Sequence, residues 1–103
     1  MEAPSIFLNG EEIKAKRPSM KAWRTVEAFN DKDKMDMPIA EFVSECIGIL
    51  SVVYGSDVSE IEEGIDVSDV IPAYREAVSW VHGLAFEKLG KVKNGETAAD
   101  ENG

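Results

Sequence analysis

One cysteine and one histidine are all this chain offers to the commonest enzymatic chemistry. A lone thiol, Cys46, cannot close an internal disulfide, so nothing here implies an oxidising compartment. A lone imidazole, His82, excludes two-histidine metal sites such as H-E-x-x-H. Neither G-x-x-x-x-G-K-S/T nor G-x-G-x-x-G occurs, so no glycine loop cradles a phosphate. Basic charge is also scarce: 11 Lys and Arg against 20 Asp and Glu, a formal charge of −9. A phosphate binder needs a positive footprint, so nucleic acid is not an expected partner. An anionic membrane surface is excluded on the same ground. No apolar stretch is long enough to span a bilayer. Met1-Glu2-Ala3-Pro4 has no positive segment followed by an apolar run, so no secretory signal is expected and a cytoplasmic setting is the default.

What remains is 103 residues with 44% hydrophobic content, enough for one folded domain. Its organising stretch is Pro38 to Tyr54. Ile39, Phe42, Val43, Cys46, Ile47, Leu50, Val53 and Tyr54 recur at the spacing of one helix face. Ile49 and Val52 lie off that face, so the apolar stripe is wide, as contact on more than one side requires. Glu41 and Glu45, four apart, form one narrow polar strip. Pro38 suits the helix start and Gly55 the left-handed position that closes it.

Before that helix, Asn9-Gly10 separates Ser5-Ile6-Phe7-Leu8 from Glu11-Glu12-Ile13-Lys14-Ala15-Lys16. Asn-Gly between two strand-like runs predicts a hairpin with a type I′ turn. Ile6, Leu8, Ile13 and Ala15 would share its inner face. A lone hairpin is marginally stable, so it must lie on the helices or extend a sheet in an oligomer. Arg17-Pro18 ends the second strand and Ser19 caps a helix over Met20 to Phe29. Met20, Trp23, Val26 and Phe29 would line its buried side, with Lys21, Arg24 and Glu27 in water. The loop from Asn30 to Met37 is polar but carries Met35 and Met37, either tucked under the fold as adaptable fillers or left out as contact points.

After the central helix, Ser59-Glu60-Ile61-Glu62 matches a capping box for a short helix ended by Gly64. Asp66 or Ser68 could cap the next helical segment. A short turn near Val67 to Ile71 should lead to a main helix from Pro72 to about Leu89. Ala73, Ala77, Trp80, Val81 and Leu84 would form one face, extended by Tyr74, Val78, Ala85 and Leu89, with Glu76 and Glu87 solvated. From Gly90 the chain has one sizeable apolar residue, Val92, and no aromatic. The expectation is therefore a mainly α protein with a short N-terminal β-hairpin (α+β). Residues 1–90 would form a small bundle of three or four helices, and 91–103 a disordered acidic tail.

Sites of chemistry are few. Cys46 and His82 are the one nucleophile–base combination, but a thiol on an apolar helix face is normally inert core. Asp31, Asp33 and Asp36 lack the glycine and terminal glutamate of a calcium loop. Glu60, Glu62 and Glu63 read as a solvated run. Trp23, Trp80, Tyr54 and Tyr74 read as core or interface anchors. No enzyme, cofactor or metal is expected.

The order of the pieces resembles the small tail assembly chaperones of long-tailed phages and prophages of Gram-positive bacteria. The likeness runs over roughly residues 5–90. Leu8-Asn9-Gly10-Glu11-Glu12-Ile13-Lys14 leads into a basic step at Lys16-Arg17-Pro18, then a helix with Arg24. The central helix ends in Val53-Tyr54-Gly55. Ile61-Glu62-Glu63-Gly64-Ile65-Asp66, a helix opening at Val70-Ile71-Pro72, and a polar tail after Glu87-Lys88-Leu89 complete the series. Residues 1–4 ahead of the first strand and the strongly acidic tail depart from the pattern. The resemblance implies a non-enzymatic protein that binds the tape measure protein and keeps it soluble while the tail tube forms. It also implies that a longer, frameshifted product would diverge after Leu89. Candidate protein-binding residues are Met35, Met37, Ile49, Val52, Tyr74 and Trp80, each of which could instead be core or a homo-oligomer contact. The rival reading is a small acidic regulator mimicking nucleic acid, with Glu60, Glu62, Glu63, Asp66 and Asp69 along one face.

Overall fold

Turn chemistry sets the first element. The computed structural model describes residues 2–87. Within it, strand β1 (Ser5–Leu8) pairs antiparallel with β2 (Glu11–Lys14), Ile6 opposite Ile13. Asn9 and Gly10 both take positive φ, at 54° and 81°, as a type I′ turn demands. Ile6 and Ala15 are buried, Leu8 and Ile13 half-buried, so the expected inner face forms. Two backbone bonds tie the hairpin to helices, and a third extends its own pairing. Asn9 N–H donates to Gly64 O at 2.8 Å, Ala15 N–H to Pro4 O at 2.9 Å and Lys16 N–H to Val53 O at 3.3 Å.

Four helices follow: α1 (Met20–Asn30), α2 (Ile39–Tyr54), α3 (Val58–Gly64) and α4 (Val70–Leu84), with a 3-10 turn at Val67–Asp69. Ser19 caps α1, its Oγ accepting from Ala22 N–H at 3.3 Å. Pro38 precedes α2 in extended backbone, and Gly55 closes it at φ 70°. After that glycine the chain bends by 110° into α3. The cap of α3 is Asp57, not Ser59. Asp57-x-x-Glu60 and Ser59-x-x-Glu62 are overlapping capping boxes in the sequence, and the earlier one forms, with Asp57 N–H donating to Glu60 Oε1 at 3.0 Å. Starting there places Ile61 in the core, fully buried. Asp66 caps the 3-10 turn through Ser68 N–H, at 3.0 Å. Helix α4 opens two residues before Pro72, which therefore lies in the first turn and removes no intrahelical bond. It ends at Leu84 rather than near Leu89. The expectations for Leu89 and residues 91–103 lie outside the described residues.

The core is one cluster centred on α2, which packs against α4, α3 and α1. Cys46, Leu50, Val53 and Tyr54 of α2, Val26 of α1, Ile61 of α3 and Ala77 and Val81 of α4 are all but inaccessible. Burial of side chains as large as Leu or Val contributes roughly 1.5–3 kcal/mol each. Phe29, Phe42 and Tyr74 tie α1, α2 and α4 together, with ring centroids 5.8–6.0 Å apart and Tyr74 edge-on to both phenylalanines. Of the residues expected on buried faces, Ala85 just past α4 is exposed, and two at helix starts stand outside: Met20 is 59% and Ile39 75% exposed. Each is the first residue of its helix, at an end that no other element covers among the described residues. Trp23 is half-buried, and Glu27, expected in water, is largely covered where its Oε2 meets His82 Nδ1 at 2.7 Å.

Candidate functional site

The six candidate binding residues part company in the fold. Ile49, Tyr74 and Trp80 are buried in the chain's own core. Ile49 lies beside Thr25, Ala28 and Phe29 of α1, which explains an apolar residue off the main face of α2. Met37 is half-buried against the core. Met35 and Val52 remain on the surface, 89% and 42% exposed. Met35 stands out of a loop closed on itself: its N–H donates to Asp33 Oδ1 at 3.0 Å, and Lys34 Nζ donates to Asn30 O and Lys32 O. Sequence reasoning missed further exposed apolar side chains, among them Phe7, Met20, Ile39, Val58, Val67 and Phe86. Phe7 alternates with Ile6 and Leu8 along its strand, and that period was the available signal.

Shape and charge concentrate around the step into α1. A groove of about 390 Å³ lies between the start of α1 and the end of α4, walled by Arg17, Pro18, Ser19, Met20, Trp23, Val81, Leu84 and Ala85. Across the Arg17-Pro18-Ser19 ridge a smaller depression reaches Lys16, Lys21 and Val52. Trp23 Nε1 is buried and has no acceptor among the described residues; Trp80 Nε1 and Tyr54 OH are in the same position within the core. At the rim, Arg17 Nη2 meets Glu87 Oε1 at 3.1 Å, so Glu87 is half-buried and paired rather than simply solvated. Lys14, Lys16, Arg17, Lys21 and Arg24 stand in a stretch, 14–24, with no acid at all. The opposite holds at 57–69, where Asp57, Glu60, Glu62, Glu63, Asp66 and Asp69 occur with no base, every one exposed. The segregation was visible in the sequence as two unmixed runs.

The residues that could do chemistry are engaged elsewhere. Cys46 is sealed in the core, and burial, reinforced by the Glu45 charge, pushes its thiol up to about 11. A thiol so held is not a thiolate nucleophile near neutrality. Burial likewise raises Tyr74, and raises Tyr54 to about 12. His82 is half-exposed on α4, bonded to Glu27 and 5.5 Å from the Phe86 ring. Among the described residues no group of three His, Cys, Asp or Glu side chains could hold a metal ion. No single described helix is long and apolar enough to cross a membrane. What the described residues leave on the surface is a set of exposed apolar side chains and two stretches of opposite charge. No family model matches this chain, and neither does any curated protein or solved structure with which it was compared.

Proposed function

We propose that this chain is a non-enzymatic tail assembly chaperone of a phage or prophage, holding the tape measure protein in the host cytoplasm during tail morphogenesis. The observation that carries the reading is the set of apolar side chains left in solvent, Met20, Met35, Ile39 and Val52, on a small acidic fold. The order of hairpin, basic step, central apolar helix, short acidic helix and proline-opened last helix supports it. A tape measure protein is long, helical and apolar-striped, and its holder needs apolar surface to cover the stripe and net charge to keep the complex dissolved. Binding of this kind is reversible and has no turnover. Several copies along one client would be natural. Co-expression with the adjacent tape measure protein tests the reading. A soluble complex is expected; unchanged client solubility with no complex recovered sinks it.

One observation favours a second reading. The six carboxylates of 57–69 are exposed and meet no cation among the described residues, as a mimic of nucleic-acid phosphates would require. In that case binding of a DNA-binding partner would be competed by DNA and would fall steeply with salt.

A further inference from the structure

We propose that the groove between the start of α1 and the end of α4 docks an acidic amphipathic segment of a partner protein, apolar side chains inward, carboxylates against Arg17 and Lys21. This rests on the reading of the chain as a holder of an apolar client, and adds which surface is used and what charge the client presents. The floor is apolar, from Met20, Trp23, Val81 and Leu84. Met20 is exposed and unbranched, able to fit side chains of varied shape. Its rim carries Arg17, with Lys16 and Lys21 across the ridge, all three in the stretch 14–24 that holds five bases and no acid. That rim already takes a carboxylate: Glu87 crosses from the far end of α4 to Arg17, whose guanidinium is still 66% exposed and has donors left for a second. The ridge at Arg17-Pro18-Ser19 carries the surface over to Lys21 and Val52, giving a helix two rows to straddle. A short segment suits the site better than a second copy of this chain. A copy could offer Val58 and Val67 among the acids of 57–69, but would bring a whole charge of −9 against −9.

The test uses the full chain and two labelled peptides of about 15 residues, with leucines at helical spacing and either glutamate or lysine at every flanking position. Anisotropy at about 0.15 M salt, where a screening length of about 8 Å leaves the charges beside the groove to decide, should show the glutamate peptide binding at least about tenfold tighter, the gap closing towards 1 M. The double variant R17E/K21E should invert the preference. Both positions are exposed and the Arg17–Glu87 pair that the variant breaks is a surface one, so its melting temperature should fall by no more than a few degrees. Equal binding of both peptides, binding of neither, or a preference untouched by the double variant would each overturn the proposal. So would concentration-dependent self-association of the parent chain that the same charge reversal abolishes, since the groove would then be filled by a second copy. Co-expression of the double variant with the tape measure protein separates the two readings. If the complex survives while the peptides are not distinguished, the groove assignment falls and the chaperone reading stands. If the parent chain itself recovers no client, the chaperone reading falls on its own.

Discussion

The two halves of α2 have similar apolar content and opposite fates. From Cys46 to Tyr54, six side chains are buried: Cys46, Ile47, Ile49, Leu50, Val53 and Tyr54. From Ile39 to Ser44 none is fully buried, and Phe42 and Val43 are only half-covered. The difference lies in what the rest of the chain lays across each half. The second half receives α3, which turns back after Gly55, and the end of β2, which bonds to Val53 O. The first half packs through Phe42, in aromatic contact with Phe29 and Tyr74, and through Val43. A helical stripe thus records which side of a helix is apolar, but not how far along it the fold reaches. The uncovered end, like Met35, leaves apolar side chains in solvent.

The largest effect expected is Leu50→Ala, which should cost about 3 kcal/mol through lost burial and an unfilled cavity. Ile39→Ala should stay within about 0.5 kcal/mol, since its side chain is already in water. Denaturant midpoints for both decide the matter. An Ile39→Ala loss as large as that of Leu50→Ala would mean that another molecule covers the first half in solution.

Next in size is an alkaline loss of stability, to which the second half contributes Cys46 and Tyr54. Burial, aided by Glu45, raises the Cys46 thiol from 9.0 to about 11; burial, aided by Glu76, raises the Tyr54 phenol from 10.0 to about 12. Both groups hold their protons longer in the folded chain than in the unfolded one. Their contribution is complete below pH 9.0 and falls as pH rises through 9.0 to 11 for Cys46 and 10.0 to 12 for Tyr54. Denaturant midpoints taken from pH 8 upward should decline above about 9, and Cys46→Ala should remove the earlier part of the decline. A flat profile would mean that water reaches both groups.

Legibility in the sequence followed local chemistry. Asn9-Gly10 could make little but a type I′ turn, and Pro38 and Gly55 bracket α2 because one lacks a donor and the other accepts φ 70°. Where two local signals overlapped, the outcome depended on packing: Asp57 and Ser59 both suit a cap, and the burial of Ile61 favours the first. The candidate surface was less readable. Ile49 and Val52 look alike three residues apart, yet α1 covers one and leaves the other out. Tyr74 and Trp80 could equally have faced a partner, and it is the packing of α4 that turns both inward. The groove at Arg17 and Met20 joins residues some 60 positions apart, which no local pattern encodes; only its basic rim could be read from the sequence.

The smallest effects concern the glycines of α2, and they should differ in sign. Gly55→Ala should cost about 1 kcal/mol, because an L side chain at φ 70° is strained. The new methyl would also lie 2.9 Å from Lys16 Nζ, a flexible end that can move aside. Gly48 stands in ordinary helical backbone near the start of the second half, and a Cβ there meets nothing within 4 Å. Gly48→Ala should therefore stabilise by about 0.5–1 kcal/mol, by restricting the unfolded chain and favouring helix. Beside Gly48 is the depression lined by Thr25, Ala28, Phe29 and Lys32, so the space for the methyl exists only while α1 keeps its distance. A loss in place of the gain, seen in thermal melts, would show α1 closing on α2 at that point and the covered half of the helix extending further towards Ile39.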